Sequence, residues 1–346
     1  MGISEIDWSK VKRILVVKLR SIGDTVLATP SLIALRRFVP DAQIDILLEA
    51  WVAPLLQGHD AIDNVISVGK RTSARLKTAL DLWGSDYDVA FNLHGGTTAT
   101  FFTAASRAKH RVGFASYQYP FLYNHLLLSA SDFWQTEFTH SAEQQLALLG
   151  FVGVPVEDRP KSRLRVRAEM EEDTELLLHN YGVDEERIAL VHPASAFKTK
   201  QWAPENFAKT IDYLWSQGIF SLVVTAPNER SIIEEINSLT KTMFHGFWDL
   251  TLPQLTSLAK RAEIFVGNDS GIAHIAAAVG TPSVVVFGSS NRNHWRPWTD
   301  APNEIVFREF ACQPCPGYEC KEFGEPRCIQ TVPHDSVFSA LKRLLS

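Results

Sequence analysis

Short apolar runs rich in β-branched residues alternate, along most of this chain, with longer stretches in which apolar positions recur every three to four residues. The first pattern suits strands covered on both faces and the second suits helices lying on them, so the alternation predicts parallel βαβ units. In the first half, strands are expected over 13–18, 43–48, 64–68, 87–92 and 111–114, with helices over 31–38, 72–83 and 142–149. A polar, proline-bearing segment over 154–160 and a charged run through Glu175 then interrupt the pattern and read as a linker. Alternation resumes with strands over 188–192, 221–225, 263–266 and 283–287 and helices over 204–215, 229–239, 253–261 and 272–279. The economical reading is an α/β chain of two doubly wound, Rossmann-like halves, 1–165 and 166–332, with strand ends facing a cleft between them. A last helix within 333–346 could return to the first half.

Composition agrees with that division. A chain of 346 residues is too long for one hydrophobic core, and 45% apolar with 21% charged residues is ordinary for a soluble globular protein. The net charge of -5 argues against a nucleic-acid partner. No run of 18 apolar residues occurs that would span a bilayer. The polar start MGISEIDWSK lacks the pattern of a secretory signal, and Ile6 stands where myristoylation requires Ser or Thr. All four cysteines fall between 312 and 328, unlike a disulfide framework, so a reducing cytoplasm is expected.

Three loops carry candidate chemistry. After the first strand comes Leu19-Arg20-Ser21-Ile22-Gly23-Asp24, at the strand end where open α/β sheets bind ligands. Gly23 allows close backbone approach, and Asp24 is either a functional carboxylate or a helix N-cap. Arg20 and Lys18 beside it would suit an anionic substrate, or are simply solvated. After the strand ending at His192, Ser195, Lys198 and Lys200 lie in a small-residue loop before a helix, a pattern suited to phosphate but equally to a plain exposed loop. After the strand ending at Val266 come Gly267-Asn268-Asp269-Ser270-Gly271, with His274 in the first turns of a helix. That geometry offers backbone N–H groups and a hydroxyl to an anion, with Asp269 expected to cap the helix or orient the loop and His274 to donate to a phosphate oxygen or serve the core.

Taken together these segments resemble glycosyltransferase family nine, the ADP-heptose:lipopolysaccharide heptosyltransferases. The matching pieces are residues 17–30, His192-Pro193-Ala194-Ser195 with Lys200-Gln201-Trp202, and residues 269–282; Asn92-Leu93-His94-Gly95 and Arg111-Val112-Gly113-Phe114 also look familial. The family's usual Asp-Thr-Gly is here Asp269-Ser270-Gly271, which keeps the hydroxyl, and Lys198 is an extra lysine beside Lys200. The resemblance implies a GT-B fold, with the acceptor on the first domain and an ADP-sugar donor on the second. It implies transfer of a heptose with inversion to a lipid-linked lipopolysaccharide inner-core acceptor, with no cofactor or metal needed for the chemistry. It implies Asp24 as general base, Lys200 or Lys198 on the donor phosphates, and Ser195 with Asp269, Ser270, Gly271 and His274 around the nucleotide diphosphate. Glu229 would hold the ribose, and Arg20, Gly23 and His94 would stand on the acceptor side. A cytoplasmic location, with peripheral contact at the inner membrane, follows from that acceptor.

Cys312, Cys315, Cys320 and Cys328 supply enough thiolates for a structural zinc, although their irregular spacing fits free or transiently oxidised thiols as well. Two other functions share the same loops: a nucleotide-sugar epimerase or hydrolase, and a non-catalytic nucleotide-sugar binder. A nicotinamide dehydrogenase is disfavoured, because no Gly-x-Gly-x-x-Gly follows the first strand.

Overall fold

Among the residues described by the computed structural model, 5–183, 186–315 and 317–346, twelve strands form two six-stranded sheets. Most of the residues behind the myristoylation reading, 1–4, lie outside the described residues. Contacts divide the chain into two units, Met1–Arg165 and Val166–Ser346. In the first unit the strands are β1 (Arg13–Val17), β2 (Gln43–Glu49), β3 (Asn64–Val68), β4 (Val89–Asn92), β5 (His110–Phe114) and β6 (His125–Leu127), in spatial order β3-β2-β1-β4-β5-β6. In the second they are β7 (Ile188–His192), β8 (Phe220–Val224), β9 (His245–Phe247), β10 (Ile264–Asn268), β11 (Ser283–Phe287) and β12 (Asn303–Phe307), in order β12-β11-β10-β7-β8-β9. Every pairing is parallel. Both sheets are therefore doubly wound, with one order reversal beside β1 and one beside β7.

The central strands are continuous apolar runs because helices cover both of their faces. Ile14 through Val17 and Ile188 through Val191 are all fully buried. The helices of the first unit used below are α1 (Ile22–Val26), α2 (Thr29–Phe38), α3 (Thr72–Trp83) and α4 (Gly96–Ala105). Ala79 and Leu82 of α3 and Ala99 and Phe102 of α4 fill a core with Leu15, Val17 and Tyr87. The core of the second unit gathers Trp202, Phe207, Ile211, Val223, Val266 and Val286.

The three strands that the pattern did not announce, β6, β9 and β12, are all sheet edges. β6 and β9 are three residues long, and β12 is mostly half-buried, so none carries a strong apolar run. The expected linker is also shorter than the charged run suggested. Residues up to Arg165 are tied to the first unit, with Arg163 N–H donating to Thr29 Oγ1 at 3.1 Å and His59 Nε2 meeting Arg163 O at 3.1 Å. The acidic stretch beyond is a helix, Ala168–Asn180, whose negative first turn suits a helix N-terminus and whose Thr174 and Leu178 are buried. The last helix, His334–Leu345, packs in the second unit, where Val337, Ala340 and Leu341 complete that unit's core.

Candidate functional site

In doubly wound sheets, ligands gather where the strand order reverses, outside the carboxyl ends of the two strands at the reversal. In the first unit these strands are β1 and β4, and the loops leaving them carry Asp24 and His94. Lys18 follows β1 with its side chain only 5% exposed, and its Nζ reaches Asp24 Oδ1 at 3.1 Å and Leu93 O at 2.9 Å. Ser21 Oγ donates to Asp24 Oδ2 at 3.0 Å. The N-cap position of α1 falls at Ser21, so Asp24 is not the cap; it stands in the first turn with its carboxylate on side-chain donors. Gly23 is buried beside it.

The electrostatics follow from that triangle. Burial pushes the Asp24 carboxyl up, but the Lys18 charge and hydrogen bond and the Ser21 hydroxyl outweigh it and hold the group below the ordinary carboxylate value. Burial in turn lowers Lys18, with Asp24 pulling it back. Asp24 is thus an ionised carboxylate, about a third exposed, on a buried ammonium.

The loop after β4 is fixed by Asn92, whose Oδ1 accepts from His94 N at 3.0 Å and Gly95 N at 2.8 Å, while its Nδ2 donates to Tyr123 OH at 2.7 Å. Gly95 has φ 75°, and a Cβ there would come within 2.9 Å of the Tyr117 ring, so this turn requires glycine. The turn aims His94 and the first residues of α4 into a cavity of about 320 Å³ that is also lined by Arg20, Glu49 and Arg75. His94 is lowered to about 4, by burial first and then by the Lys18 charge, and is therefore a neutral imidazole near neutral pH. Arg75 stands 3.8 Å from Glu49, and Trp51 Nε1 donates to the other Glu49 oxygen at 2.9 Å. Two arginines and the positive end of α4 give this cavity the chemistry of an anion pocket with one carboxylate on its wall.

In the second unit the reversal lies between β7 and β10, and again an asparagine ends a strand and ties the loops. Asn268 Oδ1 accepts from Trp202 N at 3.0 Å, and its Nδ2 donates to Pro193 O at 2.7 Å. This brings the loop after β7 against the loop after β10. Lys200 Nζ then reaches Asp269 Oδ2 at 2.8 Å, with Ser290 Oγ on the same oxygen. Ser195 Oγ lies 3.5 Å from Asp269 O, and Ser270 Oγ lies 3.3 Å from His192 Nδ1. The helix Gly271–Ala278 opens at this point with no side-chain cap, leaving its first N–H groups to an incoming ligand. His192 is lowered to about 4 by burial. Asp269 neither caps the helix nor faces outward; it anchors the ammonium of Lys200.

Not every candidate joins that cluster. Lys198 is exposed at the other end of the same 3-10 turn, because Thr199 between the two lysines turns inward, donating to Gly317 O at 2.9 Å and accepting from Ser289 Oγ at 2.9 Å. A Cβ on Gly288 would lie 2.2 Å from Thr199 O, so the close approach of these loops requires glycine there. Glu229 follows β8 and turns its carboxylate back onto Ala226 N at 3.1 Å. His274 is buried within its helix. The four cysteines are free thiols, and burial and the other three cysteines raise Cys328. Among the described residues no three His, Cys, Asp or Glu side chains are arranged to hold a metal ion. The sequence did not single out Ser290, Glu49 or Arg75, and it gave Asn92 and Asn268 no role of their own within the motifs that contain them. A serine two residues past Gly288, the glycine that follows β11, and an asparagine ending one strand at each reversal, were the available signals.

The match to glycosyltransferase family 9 (heptosyltransferase) spans residues 75–324. Over 356 aligned residues the chain is 26% identical to lipopolysaccharide heptosyltransferase 3 of Escherichia coli, covering 94% of this chain and 97% of that protein. Among solved structures, a family 9 glycosyl transferase from Veillonella parvula superposes with a TM-score of 0.83 at 20% identity, over 96% of this chain and 97% of that one. The ADP-heptose lps heptosyltransferase II of E. coli superposes with a TM-score of 0.81 at 20% identity, over 96% of this chain and 98% of that one. The fold is that of these GT-B enzymes.

Proposed function

The chain belongs to glycosyltransferase family 9, and from that membership we propose that it moves a heptose from ADP-heptose to a hydroxyl of a lipopolysaccharide inner-core acceptor, with inversion at the anomeric carbon. One observation carries the reading: an ionised carboxylate, Asp24, held by buried Lys18 and by Ser21 at the strand-order reversal of the first sheet. In an inverting transfer the acceptor hydroxyl attacks opposite the leaving diphosphate, and a carboxylate within hydrogen-bond reach takes its proton. That assistance is worth roughly 10²–10⁴-fold in rate. Asp24, charged at neutral pH, is available for that proton.

The leaving ADP develops negative charge, which Lys200, the Ser195 and Ser270 hydroxyls and the N-terminus of Gly271–Ala278 would neutralise. These groups supply the compensation themselves, so the proposal asks for no metal. The anion-pocket chemistry around Arg20, Arg75 and His94 suits the charged inner-core sugars of an acceptor. Glu229 at the end of β8 is the candidate for the ribose, a role that requires its carboxylate to leave Ala226. The place of action is the cytoplasmic face of the inner membrane, where a lipid-linked acceptor would be met; among the described residues no helix is long and apolar enough to cross a membrane.

The test is product analysis with ADP-heptose, with and without a core acceptor. ADP release coupled to a heptosylated acceptor of inverted anomeric configuration is the expected result. Donor consumption without acceptor would instead mark an epimerase or hydrolase. Binding without consumption would mark a nucleotide-sugar binder.

A further inference from the structure

α3 buries one face against the first sheet through Thr78, Ala79 and Leu82. A second face, about a third of a turn around the helix, is apolar as well. Leu76, Leu80 and Trp83 are 54%, 73% and 55% exposed, and their spacing of four and three residues puts them on one stripe. The stripe runs for about 10 Å along the helix at 1.5 Å per residue. α4, packed beside α3, exposes Phe101 at 46%. A soluble surface helix normally turns charges outward at such positions, so a continuous apolar stripe here calls for something that covers it.

The surrounding charge identifies what that is. Residues 70–83 contain four basic side chains and one acid, in a chain whose net charge is -5. Lys70, Arg71 and Lys77 are exposed, and none has an ion-pair partner among the described residues. The Arg107 guanidinium sits 4.7 Å over the Trp83 ring and extends the cationic rim to the far end of the stripe. An apolar stripe with a tryptophan at one end and basic residues at its margins has the composition of a helix lying in a membrane interface. A second copy of the chain is a poorer occupant, because a symmetric pairing would bring two basic rims together.

We propose that the outward face of α3 is a docking surface for a membrane of anionic phospholipid, with Leu76, Leu80 and Trp83 entering the headgroup region and Lys70, Arg71 and Lys77 meeting the phosphates. The inference rests on the reading that the acceptor is lipid-anchored, and it places the cavity accordingly. Arg75 lines the cavity one residue before Leu76 begins the stripe, so docking would hold the proposed acceptor pocket close to the surface from which the acceptor projects.

The experiment is co-sedimentation of the full chain with vesicles of phosphatidylethanolamine and phosphatidylglycerol, and with vesicles of phosphatidylcholine alone. The protein is expected to pellet with the anionic vesicles, progressively less as salt is raised, and to stay in solution with the neutral ones. The double variant Leu76→Ser with Leu80→Ser, whose sites are exposed, should keep its unfolding midpoint and lose about tenfold or more in partitioning. Lys70→Glu with Lys77→Glu should lose at least about tenfold on anionic vesicles. Both should turn over a de-acylated, water-soluble acceptor normally and a membrane-embedded one poorly. Wild-type protein that ignores anionic vesicles, or a leucine variant that pellets unchanged, would overturn the proposal. So would a wild-type dimer that the leucine variant converts to monomer. Failure of the wild type on the soluble acceptor would defeat the transferase reading and leave the vesicle result standing on its own.

Discussion

Replacing Asp24 by Asn changes two things that can be measured apart. The first is chemical: an amide cannot take a proton at neutral pH, so kcat should fall by roughly 10²–10⁴-fold. The second is structural, because Lys18 loses the charge opposite an ammonium that is only 5% exposed. Breaking a fully buried pair costs about 3–5 kcal/mol, and since a third of the Asp24 side chain meets water, a loss of about 1–3 kcal/mol is expected here. The amide oxygen and Leu93 O still accept from Lys18, which keeps the variant folded. The double variant Lys18→Met with Asp24→Asn removes the orphaned charge and should recover most of the stability while remaining inactive. Urea unfolding reads the stability, ADP release with acceptor reads kcat, and calorimetry reads ADP affinity, which should stay within about twofold because the groups proposed to hold the diphosphate belong to the other unit. If the double variant regains turnover, or Asp24→Asn keeps kcat within about tenfold of wild type, Asp24 only neutralises Lys18 and the base assignment is wrong.

Two further outcomes follow from the second unit. Lys200→Ala should weaken ADP binding by about tenfold or more, as expected for loss of a charged hydrogen bond, whereas Lys198→Ala should leave it nearly unchanged; the reverse ranking by calorimetry would move the phosphate contact to Lys198. His192 is held at about 4 in the folded chain against 6.5 for the free group, so the unfolded chain binds the extra proton between those values and stability falls as pH drops through that window. His192→Asn should therefore reduce the loss of unfolding free energy between neutral pH and about pH 4 by about 1–3 kcal/mol, and an unchanged loss in urea titrations would refute the buried-neutral assignment.

The central strands were legible because burial on both faces leaves a run such as Ile14-Leu15-Val16-Val17 no other good home. The loops after β1, β7 and β10 were legible because glycine, serine and aspartate at strand ends are rare without a turn to serve. Three of the four edge strands were not, since β6 and β9 place only three residues each in the sheet and β12 is mostly half-buried. α4 escaped notice for a different reason: its sequence, Gly-Thr-Thr-Ala-Thr-Phe-Phe-Thr-Ala-Ala, has little polar contrast around the helix. Within the site, one turn of 3-10 helix decides which lysine faces Asp269, and sequence spacing cannot give that phase. Lys18 was the harder miss of role. A lysine at a strand end reads as solvated, and only the folded chain reveals that its ammonium is enclosed between Asp24 and Leu93.

The cavity of the first unit is assembled from four successive βα segments: Arg20 after β1, Glu49 at the end of β2, Arg75 on the helix after β3, and His94 with Gly96 after β4. No segment supplies more than a fragment of its wall, and each is held in place by its own strand. Drift in one segment can therefore reshape the pocket by a single side chain, while the Lys18–Asp24 couple stays where it is. Under the proposed transfer, such modular tailoring would give one scaffold a route to successive new sugar hydroxyls without ever dismantling its proton acceptor.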